Sequence, residues 1–281
     1  MNWARALAGI AAPLIKAGRL STITGASFSM AFFSGVTANT MLSEAFEQKK
    51  ISKQELILAN LFNSLPRFFL HLPTVFFLTL PFIKGAAFIY VSITFAAAML
   101  QTLLVVTAGR FMLVGGNRII ELPDTEKTTW RQALQKSLRR LKKRIPKIVT
   151  FLIPVYVLFY ILDQYGFFAT LEQFVAKSSL LSWMNPQSLS IVMLHVTAEF
   201  SAGLAAAAVL LDNNSLGYRE VVIALLVGNI VAAPVRAIRH QLPYYVGIYS
   251  PRLAAELVGI SQVMRAACII LLGTCYYLTG S

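Results

Sequence analysis

Apolar positions along this chain come in long blocks, not at short alternating periods. The blocks run over 20–46, 55–83, 86–114, 148–168, 186–211, 219–233 and 253–279. A helix needs about 20 apolar residues to cross a bilayer, and 86–109, 148–168 and 253–279 read as clear single spans. The others are interrupted. Residues 55–83 hold Pro66, Arg67, His71, Pro73 and Pro81, and residues 219–250 hold Pro234, Arg236, Arg239, His240 and Pro243. Proline removes a backbone donor and clashes with the preceding turn. In lipid such a break survives only where protein or a wet cavity satisfies the freed groups. The pattern predicts an all-α, polytopic integral membrane protein of about seven to eight membrane segments, with proline-broken helices.

Composition sharpens that picture. Of 281 residues, 57% are hydrophobic and 13% charged, with a mean hydropathy of +0.65. Soluble domains carry about 25% charged residues, so too little charge is present to coat a water-facing surface. A soluble enzyme is excluded on that ground.

Charge adds an orientation. The net charge is +13, and between Arg110 and Lys147 eleven basic residues stand against Glu121, Asp124 and Glu126. Flanked by apolar runs, this segment is expected on the cytoplasmic side, and a nucleic-acid partner is not expected. Trp130, Leu134, Leu138 and Leu141 recur there at helical spacing. They fit either an interfacial helix on anionic headgroups or a plain tether. Cys268 and Cys275 share one helix face, cannot bridge each other and read as small buried hydrophobes. Arg5 and the apolar stretch 6–15 resemble a signal peptide weakly, without a convincing cleavage site, and are expected to belong to the mature chain.

The two interrupted stretches invite comparison of the chain's halves. Gly35 pairs with Gly203 and Glu44 with Asp212 at an offset of 168, and Glu55 with Glu220 after a small contraction. Downstream, Asn60 or Asn63 answers Asn229, and Pro66 answers Pro234. Arg67, His71 and Pro73 answer Arg236, His240 and Pro243. The expected organisation is a membrane repeat over 1–113, a basic cytoplasmic linker over 114–146 and a second repeat over 147–281. Lys49, Lys50 and Lys53 in the loop after Glu47 have no basic counterpart in 212–217, which is what inverted topology would produce.

These residues resemble the Gate or nucleoside-recognition family of membrane domains. The resemblance lies in a small-residue helix from Gly35 to Glu44, a loop ending at Glu55 and an Asn-rich helix from Asn60 to Pro66, with a second copy from Gly203 to Pro234. Similar domains occur in concentrative nucleoside transporters, the membrane part of ferrous-iron transporter B and spore maturation proteins. The resemblance implies transport more than it implies nucleosides, and the G-domain architecture of the iron transporter is not expected.

The candidate solute site follows from the repeat. Arg67 with His71, and Arg236 with His240, lie four apart on a helix and so share a face. Charge at membrane depth is expensive and turns to a cavity or a partner. With Asn60, Asn63 and Asn229, two such faces meeting between the halves would suit an anionic ligand held bidentately. The alternative is that Arg67 and Arg236 snorkel at a surface or pair with Glu55 or Glu220. His195 and Glu199, also four apart, form a candidate proton- or ion-coupling pair, or else a structural hydrogen bond. Ser27, Ser29, Ser34, Thr37, Asn39 and Thr40 read as close packing or polar lining.

No catalytic, metal-ligand or cofactor fingerprint is present, so neither an enzyme nor a cofactor is expected. The function read from the sequence is a permease for a small solute, anionic or nucleoside-like, in a prokaryotic inner membrane, with room for a homo-oligomer. The rival is a non-transporting membrane subunit that docks partner proteins.

Overall fold

The computed structural model describes residues 11–113 and 184–279, with scattered residues between 150 and 170. The basic linker 114–146, with its expected interfacial helix and lipid contact, lies outside the described residues, as does much of the apolar stretch 148–168. All regular elements among the described residues are helical.

The first helices are α1 (Thr22–Ala31), α2 (Gly35–Glu47), α3 (Lys53–Phe62), α4 (Ser64–Ile83) and α5 (Ala86–Met112). After the undescribed region come α6 (Pro186–Thr197), α7 (Phe200–Asp212) and α8 (Tyr218–Arg236). A π-helical turn (Ala237–Gln241), α9 (Leu242–Val246) and α10 (Pro251–Thr279) complete the order.

Local chemistry explains the boundaries. Ser21, Ser34 and Ser52 cap α1, α2 and α3, each hydroxyl accepting from a backbone N–H three residues on. Asn185 caps α6 through Gln187, with Pro186 at the first helical position. Pro66 sits in the first turn of α4, where a missing N–H is tolerated, and the chain breaks instead at Asn63. Pro73 and Pro81 are carried inside α4. Pro234 lies three residues before the π-helical turn, a widening that accommodates a lost helical bond.

The apolar stretches 20–46 and 186–211, read as interrupted, each form two short helices that pack on each other. Three residues join α1 to α2 and two join α6 to α7. At 1.5 Å per residue these helices span roughly 15–20 Å, well short of a hydrocarbon core about 30 Å thick. Among the described residues, four helical segments are long and apolar enough to cross: Lys53–Ile83, Ala86–Met112, Tyr218–Val246 and Pro251–Thr279. The chain is an all-helical membrane protein.

The two hairpins agree in backbone detail at a constant offset of 165. α2 and α7 each have 13 residues. Gln48, Lys49 and Lys50 donate to the carbonyls of Glu44, Phe46 and Ala45; Asn213, Asn214 and Ser215 donate to those of Val209, Leu211 and Leu210. Lys49 (φ 56°) and Asn214 (φ 53°) are both left-handed, the signature of a Schellman-type helix end. This register keeps Glu55 opposite Glu220 but replaces the pairing of Gly35 with Gly203. The first residues of α2 and α7 are Gly35 and Phe200, because caps and backbone bonds, not glycine identity, set where each helix starts.

The chain packs as two compact units. One contains Met1–Arg67, Thr102–Phe159 and His240–Gly259; the other contains Phe68–Gln101, Tyr160–Arg239 and Ile260–Ser281. Each unit draws on both sides of the basic linker. In the first, Leu20, Phe28, Leu42, Leu56 and Phe62 are buried, and the Phe28 and Phe62 rings stand 4.4 Å apart. In the second, Ile83, Ala87, Ile191, Leu204, Val222 and Leu225 belong to one apolar core. Cys268 is buried there, whereas Cys275 is exposed and not the buried hydrophobe expected of it; both are free thiols.

Candidate functional site

Each unit buries a polar cluster built around an asparagine and the arginine seven residues after it. In the first unit, Asn60 on α3 is 1% exposed and Asn63 at its end 2%. Asn60 Nδ2 donates to Asn39 Oδ1 (2.9 Å) and to Tyr245 Oη (3.1 Å). Asn39 Nδ2 donates to Tyr244 Oη (3.1 Å), and Tyr249 Oη donates to the Asn39 carbonyl (3.0 Å). Asn63 Nδ2 reaches Ser27 Oγ at 2.7 Å. Arg67 binds back along its own helix: Nε to the Asn63 carbonyl (3.2 Å), Nη2 to the Asn60 carbonyl (3.1 Å) and Nη1 to Tyr245 Oη (3.1 Å). A Cβ at Gly35 would stand 3.9 Å from Arg67 Cδ and Tyr244 Oη, so the first turn of α2 abuts the cluster.

In the second unit, Asn229 on α8 plays the corresponding part. Its Nδ2 donates to Tyr90 Oη (3.0 Å). Arg236 Nη2 donates to the Asn229 carbonyl (2.9 Å) and to its Oδ1 (2.7 Å). Arg265 Nη2, from α10, donates to the same Oδ1. Four more residues separate Glu220 from Asn229 than separate Glu55 from Asn60. That is about one helical turn, so both asparagines keep a comparable helix face.

His195 adjoins this second cluster. It is 2% exposed, and neither ring nitrogen has a partner among the described residues. Two glycines make room for it. A Cβ at Gly228 would lie 2.6 Å from His195 Nδ1, and one at Gly203 would lie 2.9 Å from His195 Cβ. The Phe200 ring stands 5.1 Å from the imidazole, and 5.9 Å from Tyr90 in a stacked arrangement. Arg236 and Arg265 lie within electrostatic reach of His195, as Glu199 does of Arg236.

The expected Arg–His faces form only on the arginine side. His71 and His240 are exposed and bond to none of the described residues, and His240 sits in the π-helical turn, beyond the regular helix that carries Arg236. Nor do His195 and Glu199 share a helix face. α6 ends at Thr197, and Glu199 is the exposed cap of α7 at φ 78°. The alternative pairing of Arg67 with Glu55 is not formed either. Glu55 Oε1 accepts from Ser21 N–H (2.9 Å) and Thr24 Oγ1 (3.1 Å), while Glu220 Oε2 accepts from Gly217 N–H (2.8 Å).

Sequence reasoning missed Tyr90, Tyr244, Tyr245, Tyr249 and Arg265. Arg265 carried a signal, being an ionisable residue inside the apolar run 253–279. The tyrosines carried none, since their role depends on contacts far along the chain. Chemically, the clusters offer amide and hydroxyl groups together with guanidinium donors, a set suited to a polar or anionic solute.

The fold and its clusters define a class: an all-helical membrane protein with paired short-helix hairpins and buried Asn–Arg polar sites. The chain is similar to three archaeal proteins of Methanocaldococcus jannaschii. Uncharacterized protein MJ0871 is 25% identical over 262 residues, covering 92% of this chain and 81% of that protein. Uncharacterized protein MJ0880 is 24% identical over 254 residues, with 86% and 80% covered. Uncharacterized protein MJ1556 is 25% identical over 249 residues, with 86% and 77% covered. No known family's sequence profile matches the chain, and no solved structure matches it.

Proposed function

We propose that this protein is a multi-pass permease of the prokaryotic cell membrane, of the Gate or nucleoside-recognition type, for a small solute that is anionic or nucleoside-like. The observation that carries this reading is the occurrence, in each unit, of a buried Asn-x6-Arg cluster next to a helical hairpin too short to cross. Irregular backbone and buried charge at membrane depth are tolerated where they line a solute path, and discontinuous helices in two halves mark a transporter's binding region. The matched hairpin register supports descent of the two halves from one repeat, and the lysine asymmetry between 48–53 and 213–217 supports their inversion. His195 and Glu199 are the proposed coupling groups.

A ligand screen tests the proposal. A solute that binds the folded protein raises its unfolding midpoint, by about 2.7 kcal/mol at a hundred times the dissociation constant. Small oxyanions or nucleosides should raise the midpoint of the wild type and fail to do so in Asn229→Ala. No response to either class, alongside stable co-purification of a protein partner, would favour the docking subunit.

A further inference from the structure

The two arginines at corresponding positions are not equally engaged. Arg67 uses all three guanidinium nitrogens inside its own unit, on two carbonyls and the Tyr245 hydroxyl. Arg236 uses Nη2 alone, on the two oxygens of Asn229. Its other guanidinium N–H groups donate to none of the described residues, and it forms no ion pair with a described carboxylate. Arg265 delivers a second guanidinium to the same amide oxygen. Beside them lies His195, buried, with both nitrogens unpartnered among the described residues, Gly228 against its ring and Gly203 against its Cβ.

We propose that the second unit by itself holds an oxyanion site, formed by Arg236, Arg265 and His195 around Asn229, and that Arg67 is its structural counterpart with no ligand role. The site takes a compact carboxylate or phosphate group. The planar fork of Arg236 has donors left for bidentate contact with such a group. His195 can donate one ring N–H to it, since each imidazole tautomer carries a donor. An oxyanion there neutralises guanidinium charge that is expensive at membrane depth. The inference deepens the permease reading, resting on it for the site's purpose but not for its existence.

The chain has three histidines, so ring-15N-histidine labelling of the full-length protein gives a readable NMR spectrum. The protein is placed in nanodiscs of neutral lipid, and His195 is assigned with His195→Gln. Inorganic phosphate and acetate are titrated against a chloride control at equal ionic strength. The His195 signals are expected to shift saturably with phosphate or acetate while those of exposed His71 and His240 do not. Arg236→Gln and Arg265→Gln should weaken binding about ten- to hundredfold, as loss of a charged hydrogen bond does; Lys84→Gln should not.

Asn229→Asp guards against variants that fail to fold. It supplies a carboxylate in place, so it should raise the unfolding midpoint and abolish the anion response. A His195 shift that appears on changing to anionic-lipid nanodiscs, without added phosphate, supports the same site with a headgroup as its source. The proposal is overturned if His195 responds to neither phosphate, acetate nor anionic lipid beyond chloride. It is also overturned if Arg236→Gln and Asn229→Asp respond as the wild type does. Failure of the permease reading looks different: His195 responds, but no solute crosses a proteoliposome membrane. Conversely, solute uptake with a silent His195 keeps the permease and removes this site.

Discussion

Gly228→Ala is the most informative single substitution near the second cluster. Helix propensity alone favours alanine over glycine inside α8 by about 1 kcal/mol. Sterics oppose it, because the added methyl would lie 2.6 Å from His195 Nδ1 and 3.0 Å from its Cγ. The ring cannot simply withdraw, since its Cβ is already against Gly203 on α7. Overpacking of this kind costs about 1–3 kcal/mol, and a ring held on both sides belongs near the upper end. A net loss of about 1–2 kcal/mol is therefore expected. In a His195→Ala background the ring contacts are gone, leaving a Cβ contact at 3.1 Å against the propensity gain, so Gly228→Ala should become near-neutral or stabilising there. That change of sign is a coupling between neighbours of the sort a double-mutant cycle isolates. Gly259→Ala on α10, where a methyl meets nothing within 4 Å, serves as the control and should stabilise. The assay is equilibrium unfolding of the four chains of the cycle and the control in one detergent mixture. If Gly228→Ala is as stable as the wild type, or if His195→Ala does not relieve it, the tight slot described here is wrong.

Other consequences are simpler. Asn60→Ala removes the amide donor to Asn39 Oδ1 and the acceptor of the Tyr245 hydroxyl. It should cost about 1–3 kcal/mol for each buried group left unsatisfied, measured by the same unfolding assay, and a near-neutral result would dissolve the first cluster. Ser52→Ala removes the cap of α3 and should cost about 0.5–2 kcal/mol. The exposed pair Lys84–Asp212 (2.6 Å) holds the Lys84 ammonium above its usual range, through the Asp212 hydrogen bond first and its charge second. Because the folded value is raised, its contribution is complete below lysine's ordinary range near ~10.4 and fades as pH rises past it; Lys84→Ala should lose that small contribution at neutral pH, flatten the alkaline limb and match the wild type at high pH. In a background lacking Cys268 and Cys275, Ser52→Cys and Ser215→Cys should label from opposite faces of the membrane, whereas labelling from one face would refute inversion.

Much of the helical layout could be read directly from hydropathy, because blocks such as 86–112 and 253–279 leave a chain in lipid no alternative to a helix. The asparagines and arginines of both clusters were visible too, although in the first unit the helix breaks at Asn63 between them. The hairpin turn after α6 was not. No glycine or proline announces it, and the backbone turns at Glu199 with a φ of 78°, a conformation non-glycine residues adopt rarely. The same turn undid the expected His195–Glu199 face. Repeat register was misread over the first helices because glycine identity was matched, while the structure conserves cap hydrogen bonds and the left-handed residues Lys49 and Asn214. Arg265 and Tyr90 join Asn229 across more than thirty residues of sequence or more than a hundred, and only tertiary packing brings such groups together.

The central claim is that the protein carries a small solute across the membrane by way of the site built on Asn229–Arg236. Uptake into proteoliposomes carrying the purified protein tests it most directly, with radiolabelled phosphate, a small carboxylate and a nucleoside as separate probes. The account predicts saturable uptake of at least one probe above protein-free vesicles, lost in Asn229→Ala protein that inserts and unfolds normally. No uptake of any probe above the protein-free vesicles, or uptake unchanged by Asn229→Ala, would contradict it.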